Sequence, residues 1–99
     1  MAAYFVIDLD IHDAAGFEAY AHAVSAILEQ YGARYLVRRR PVEVLEGAWH
    51  PNQLTVIRFP SRERARAFYE SAEFRAVVGL RWRSARTNLV LVDEPQGAD

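Results

Sequence analysis

From Tyr4 to Ile11 apolar Phe5, Ile7, Leu9 and Ile11 alternate with Tyr4, Val6, Asp8 and Asp10, the two-residue period of a strand with one wholly apolar face. After Asp13 the period lengthens. The Asp13 carboxylate is placed to accept from the free amides of a first helical turn, and Phe17, Tyr20, Ala21, Val24, Ile27, Leu28 and Tyr31 then recur at helical spacing. The pattern predicts a helix from about Ala14 to Gln30 or Tyr31, closed by Gly32 in a left-handed conformation.

Arg34 to Arg39 returns to alternation, with Tyr35, Val37 and Arg39 against Arg34, Leu36 and Arg38. Pro41 cannot donate to a ladder, which predicts a bulge or bend before Val42 to Leu45 resumes an extended course. Gly47 to Asn52 carries turn residues, and Gln53 to Phe59 is a further strand, antiparallel to the one before it. Ser61 caps a helix that turns Ala65, Phe68 and Tyr69 inward. Ser71 caps a shorter piece carrying Phe74, Val77, Val78 and Trp82, with a break expected at Gly79. Asn88 to Val92 forms a last strand, and residues 95–99 close the chain as a polar tail behind one domain spanning residues 1–94.

The resulting order β, α, β, β, α, β fits two interleaved βαβ crossovers in one antiparallel sheet with its helices on one face. That is the α+β, ferredoxin-like arrangement. Its uncovered sheet face would carry Tyr4, Val6, Asp8 and Asp10, a mixture of apolar and charged groups that invites a partner.

Composition narrows the chemistry. A net charge of −1 gives no broad basic field for nucleic acid, and the glycine and aromatic run of an RNA-binding sheet is missing. All basic residues are arginine, which excludes lysine Schiff-base chemistry, and the lack of cysteine excludes thiolate catalysis and thiolate metal sites. His12, His22 and His50 do not stand at a metal-binding spacing, and no phosphate-cradling loop or nucleophile elbow is present, so neither metal nor cofactor is expected. The start reads as neither a signal peptide nor a membrane span, which predicts a cytoplasmic protein without membrane association.

One further signal is a resemblance. Tyr4, Tyr20, the run Gly32 to Arg38, ValGluValLeuGluGly at 42–47, Trp49, Pro51, PheProSer at 59–61, Ala65, Tyr69, SerAlaGluPhe at 71–74, Leu80 and Arg81 together resemble the domain-of-unknown-function family numbered 1330. TyrLeuValArg at 35–38 paired with LeuGluGly at 45–47 is the most specific piece. The resemblance implies the dimeric α/β-barrel superfamily, in which two sheets meet face to face in a homodimer. This sequence departs from the family pattern where Ala33, Arg39 and Arg40 replace glycines, Arg58 replaces a glutamate, and Ala72 replaces a proline.

By strand parity, Asp8, Arg38 and Arg58 are expected to converge between the sheet and its partner, where arginine could fix a small carboxylate through paired hydrogen bonds. The alternative is that these charges satisfy one another or line a solvated edge. Glu46, at a strand end beside Trp49, and His50 are the candidate proton carriers, and Trp49 a candidate ligand contact; a salt bridge for Glu46 is the plainer reading. Tyr20, Tyr69 and Trp82 are read as core. Two functions remain open. One is a cofactor-independent enzyme or binder acting on a small aromatic or carboxylated metabolite, and the other is a non-catalytic ligand-binding or interaction domain whose dimer interface is the functional surface.

Overall fold

Alternation and helical spacing resolve, in a computed structural model that describes residues 1–95, into seven elements. These are β1 (Ala3–Ile11), α1 (Ala14–Gln30), β2 (Arg34–Arg40), β3 (Gln53–Phe59), α2 (Arg62–Glu70), α3 (Ala72–Ser84) and β4 (Ala85–Asp93). The sheet runs β2-β3-β1-β4 with every neighbouring pair antiparallel. Each of the two crossovers therefore skips a strand, and the fold is ferredoxin-like. Of the polar tail expected over residues 95–99, all but Pro95 lies outside the described residues.

Local signals account for most boundaries. Asp13 accepts from the Gly16 amide at the start of α1, and Gly32 takes φ +75° after its end, the left-handed conformation that glycine adopts without a Cβ clash. Ser61 caps α2. Ser71 joins α2 to α3 with one hydroxyl, accepting from the Phe74 amide at 3.1 Å and donating to the Phe68 carbonyl at 2.7 Å. The core lies on the helix side of the sheet, where Phe5, Ile7, Leu9, Ile57 and Phe59 meet Val24 and Leu28 of α1, Phe68 of α2 and Phe74 and Val78 of α3.

Four expectations need correction. Val42 to Leu45 is exposed and unpaired, because Arg40 already stands opposite Leu54, next to the start of β3, and no strand remains for it to pair with. The second helical piece does not break at Gly79: α3 runs through it, packing on α1 offsetting the roughly 1 kcal/mol that glycine costs within a helix. β4 begins at Ala85 rather than Asn88, since β1 extends far enough to pair Ile11 with Ala85 and Leu9 with Thr87. Trp82 is exposed, and its neighbour Arg81 takes the inward position.

Candidate functional site

A cavity of about 40 Å³ lies between the sheet and the helices, walled by Phe5, Ile7, Phe17, Tyr20, Phe68, Phe74 and Leu89. Its polar lining comes from Tyr20, Tyr35, Arg38, Arg39, Thr55 and Arg81. Two helices set the deepest pair. Tyr20 sits on the inward stripe of α1, and Arg81 continues the stripe Phe74, Val78, Arg81 of α3. The amides of His12 and Asp13 both donate to the Ser84 carbonyl, holding the end of α3 against the start of α1.

Arg81 is 4% exposed. Its Nη1 donates to the Tyr20 phenol oxygen at 3.2 Å, and its guanidinium lies 5.4 Å from the Tyr20 ring centroid and 5.7 Å from that of Phe74. Its Nε has no hydrogen-bond partner among the described residues, and no carboxylate stands within ion-pair distance. A guanidinium stays charged in proteins, so this is a buried cation met, among the described residues, by a neutral hydroxyl and ring faces. Burial pushes the Tyr20 phenol above its ordinary range, with Arg81 opposing part of the effect. Burial likewise raises Tyr35. Both phenols therefore keep their protons at neutral pH.

The mouth of the cavity is made by irregularity in β2. Tyr35 stands opposite Ile57, Val37 opposite Val56, and Arg40 opposite Leu54. Leu36 is thus an extra residue, and Arg38 and Arg39 together face the single residue Thr55. Such bulges re-aim side chains. Arg39 completes the turn with φ +50°, and its amide donates to Thr55 Oγ1 at 3.1 Å. Its guanidinium reaches Glu18 of α1 at 2.7 Å and covers the Phe17 ring at 5.3 Å. The Arg39 hydrogen bond and charge hold the Glu18 carboxyl below the usual carboxylate range. Arg38 lies over the Tyr35 ring at 4.6 Å. Outside this mouth, Phe17, Glu18, Arg38, Arg39 and Gln53 line a shallower hollow of about 540 Å³.

The expected convergence of Asp8, Arg38 and Arg58 does not occur. Asp8 and Arg58 share the open face of the sheet but lie in different rows, Asp8 opposite Leu54 and Arg58 opposite Tyr4. The bulge turns Arg38 to the other side, toward α1. Trp49 does meet Asp8, donating from Nε1 to Oδ2 at 3.2 Å, while Asn52 donates to Asp10 at 3.1 Å. These bonds fold the 41–52 arm back over the open face. Glu46 and His50 lie exposed on that arm, and neither lines the cavity. Sequence reasoning placed Tyr20 in the core and named Arg81 within the family resemblance without giving it a role in a site. The available signal was an arginine at the position where the Phe74 and Val78 stripe continues.

The family profile described as Domain of unknown function (DUF1330) matches residues 2–95. The chain belongs to this family. No curated protein matches it. Among solved structures, a protein of unknown function from Rhodopseudomonas palustris aligns at TM-score 0.76 and 15% identity, over 97% of this chain and 84% of its own. SnoaB from Streptomyces nogalater, described as a cofactor-independent oxygenase, aligns at TM-score 0.64 and 15% identity, over 97% and 95%. A dimeric ferredoxin-like protein of unknown function from Jannaschia sp. CCS1 aligns at TM-score 0.63 and 14% identity, over 95% and 100%. At these identities the likeness establishes the shared ferredoxin-like fold. Among the described residues, no helix is long and apolar enough to cross a membrane.

Proposed function

We propose that this DUF1330 protein binds a small organic anion, an aromatic or aliphatic carboxylate or an enolate, in the cavity between its helices and its sheet. The observation that carries this reading is the buried Arg81 guanidinium, which has no carboxylate within ion-pair distance among the described residues. Leaving a charge desolvated costs several kcal/mol, which an anionic ligand would offset by charge-assisted hydrogen bonds. The surrounding Phe5, Phe17, Phe68 and Phe74 keep water from a bound acidic head and favour an apolar group next to it. Tyr20 accepts from Arg81 and so retains its own hydroxyl proton for donation to a ligand oxygen or carbanion. This arrangement suits proton transfer without a cofactor, and the description of SnoaB as a cofactor-independent oxygenase adds an analogy of fold.

The second part of the reading is a homodimer formed through the open face of the sheet. Val90 and Val92 of β4 and Leu36 of β2 are 60%, 49% and 50% exposed, and with Val6 and Val56 they make an apolar patch that the 41–52 arm leaves open to solvent. Asp8, Arg58 and Trp49 on this side then serve subunit contact, as do Glu46 and His50 on the adjoining arm. The open face alone favours the interaction-domain alternative.

Titration of the isotope-labelled protein with phenylacetate, followed by NMR, tests the cavity. The expected result is saturable shifts at Tyr20, Thr55 and Leu89 that vanish in Arg81→Met. Shifts confined to the open face, or shifts unchanged by Arg81→Met, would overturn it.

A further inference from the structure

The arginines around the cavity point to a more definite ligand class, an inference that rests on the anion-binding reading above. Arg38, Arg39 and Arg81 line the inner space, and no acidic residue does. Glu18 in the outer hollow meets one of the three, Arg39, at 2.7 Å. Neither Arg38 nor Arg81 has a carboxylate within ion-pair distance among the described residues. The two arginines stand at different depths: Arg81 is buried against Tyr20, whereas Arg38 is exposed at the mouth and lines both the inner cavity and the outer hollow. Between them the lining is mostly apolar, from Phe17, Leu9, Tyr35 and Ile57.

The inner space of about 40 Å³ can hold the head of a molecule but little more, and the outer hollow of about 540 Å³ adjoins it, sharing Phe17, Arg38 and Arg39 as walls. A compact monoanion would satisfy Arg81 and leave Arg38 unused. We infer that the ligand is a dianion with an apolar middle, a dicarboxylate or a hydroxy-aromatic acid bound as its dianion, with one acidic group on Arg81 and Tyr20 and the other at Arg38. Two bulges in β2 and the left-handed Arg39 are what bring Arg38 to that position. Arg38 is then a specificity-determining residue, since only a ligand with a second acidic group gains a charge-assisted pair there.

Isothermal titration of the full chain at fixed ionic strength, with linear dicarboxylates from succinate to pimelate and monocarboxylates of the same chain lengths, decides the matter. The best dicarboxylate is expected to bind at least tenfold tighter than its matched monoacid. Arg38→Met should abolish that preference while leaving monoacid affinity within about twofold, and Arg81→Met should abolish binding of both. Equal affinity for matched mono- and dicarboxylates, with Arg38→Met silent and Arg81→Met still disabling, would overturn the dianion inference and leave the anion cavity standing. Absence of binding by every member at millimolar concentration would overturn both.

Discussion

Arg81 on α3 and Tyr20 on α1 meet through a 3.2 Å hydrogen bond inside the protein, and that bond is the principal polar contact of a buried positive charge. A site arranged in this way favours ligand over stability. An apolar side chain of similar length in place of Arg81 removes a desolvation cost of several kcal/mol and sacrifices one charge-assisted hydrogen bond worth about 1.5–3 kcal/mol, together with the cation–π contacts to Tyr20 and Phe74. Arg81→Met is therefore expected to stabilise the unliganded protein by about 1–3 kcal/mol while losing anion binding. Urea denaturation, with the midpoint rising at an unchanged slope, checks the sign.

The Arg39 clasp on Glu18 should weaken in acid. The Glu18 carboxyl is depressed by the Arg39 hydrogen bond, so the clasp contributes fully above the ordinary carboxylate range and is lost as pH falls through the depressed folded value. Carbon-detected NMR titration should place the Glu18 midpoint below the ordinary glutamate value. Arg39→Gln should return it to the ordinary range.

At position 39 the usual ranking of glycine and alanine should invert. Its φ of +50° is costly for a residue with a Cβ and free for glycine. Arg39→Gly is expected to be more stable than Arg39→Ala by about 1 kcal/mol, measured by chemical denaturation of the pair. The opposite order would mean that the left-handed conformation is not kept in solution.

Phe59 is fully buried at the end of β3, with ring centroids 4.8 Å from Phe5 and 5.5 Å from Phe68. Phe59→Ala should cost about 3–5 kcal/mol through lost burial and the void left behind. A thermal melt records it.

Val90 tests the open face separately from the cavity. The residue is 60% exposed in the protomer, so Val90→Glu should leave the fold intact. If the sheets pair, it should convert a dimer to a monomer in sedimentation velocity at micromolar concentration, because a carboxylate would be desolvated at the interface. A monomeric unsubstituted protein would remove the homodimer from the proposal.

Much of this protein was legible before any tertiary contact was known. Alternation in β1 and the stripe of α1 identified their buried faces, Asp13, Ser61 and Ser71 marked helix starts, and Gly32 marked a helix end. The residues at 35–38 and 45–47 carried the family. These signals are local, since a strand or helix repeats its pattern within its own residues. The site was not legible in the same way. Parity read along β2 assigned Arg38 to the wrong side, because the extra residue at Leu36 depends on which residues of β3 stand opposite.

The arginine run illustrates the division. In a regular strand Arg38 and Arg39 would point to opposite faces, whereas here both oppose Thr55 and both line the cavity mouth. Arg81 differs again, since helical spacing could place it inward, but its lack of a carboxylate partner was decided only when α3 packed against α1. The sequence by itself determined the elements, their apolar faces and the ferredoxin-like order, because those follow from periodicity and capping. The tertiary structure decided which arginines share a cavity, because strand register and helix contacts are relations between segments distant along the chain.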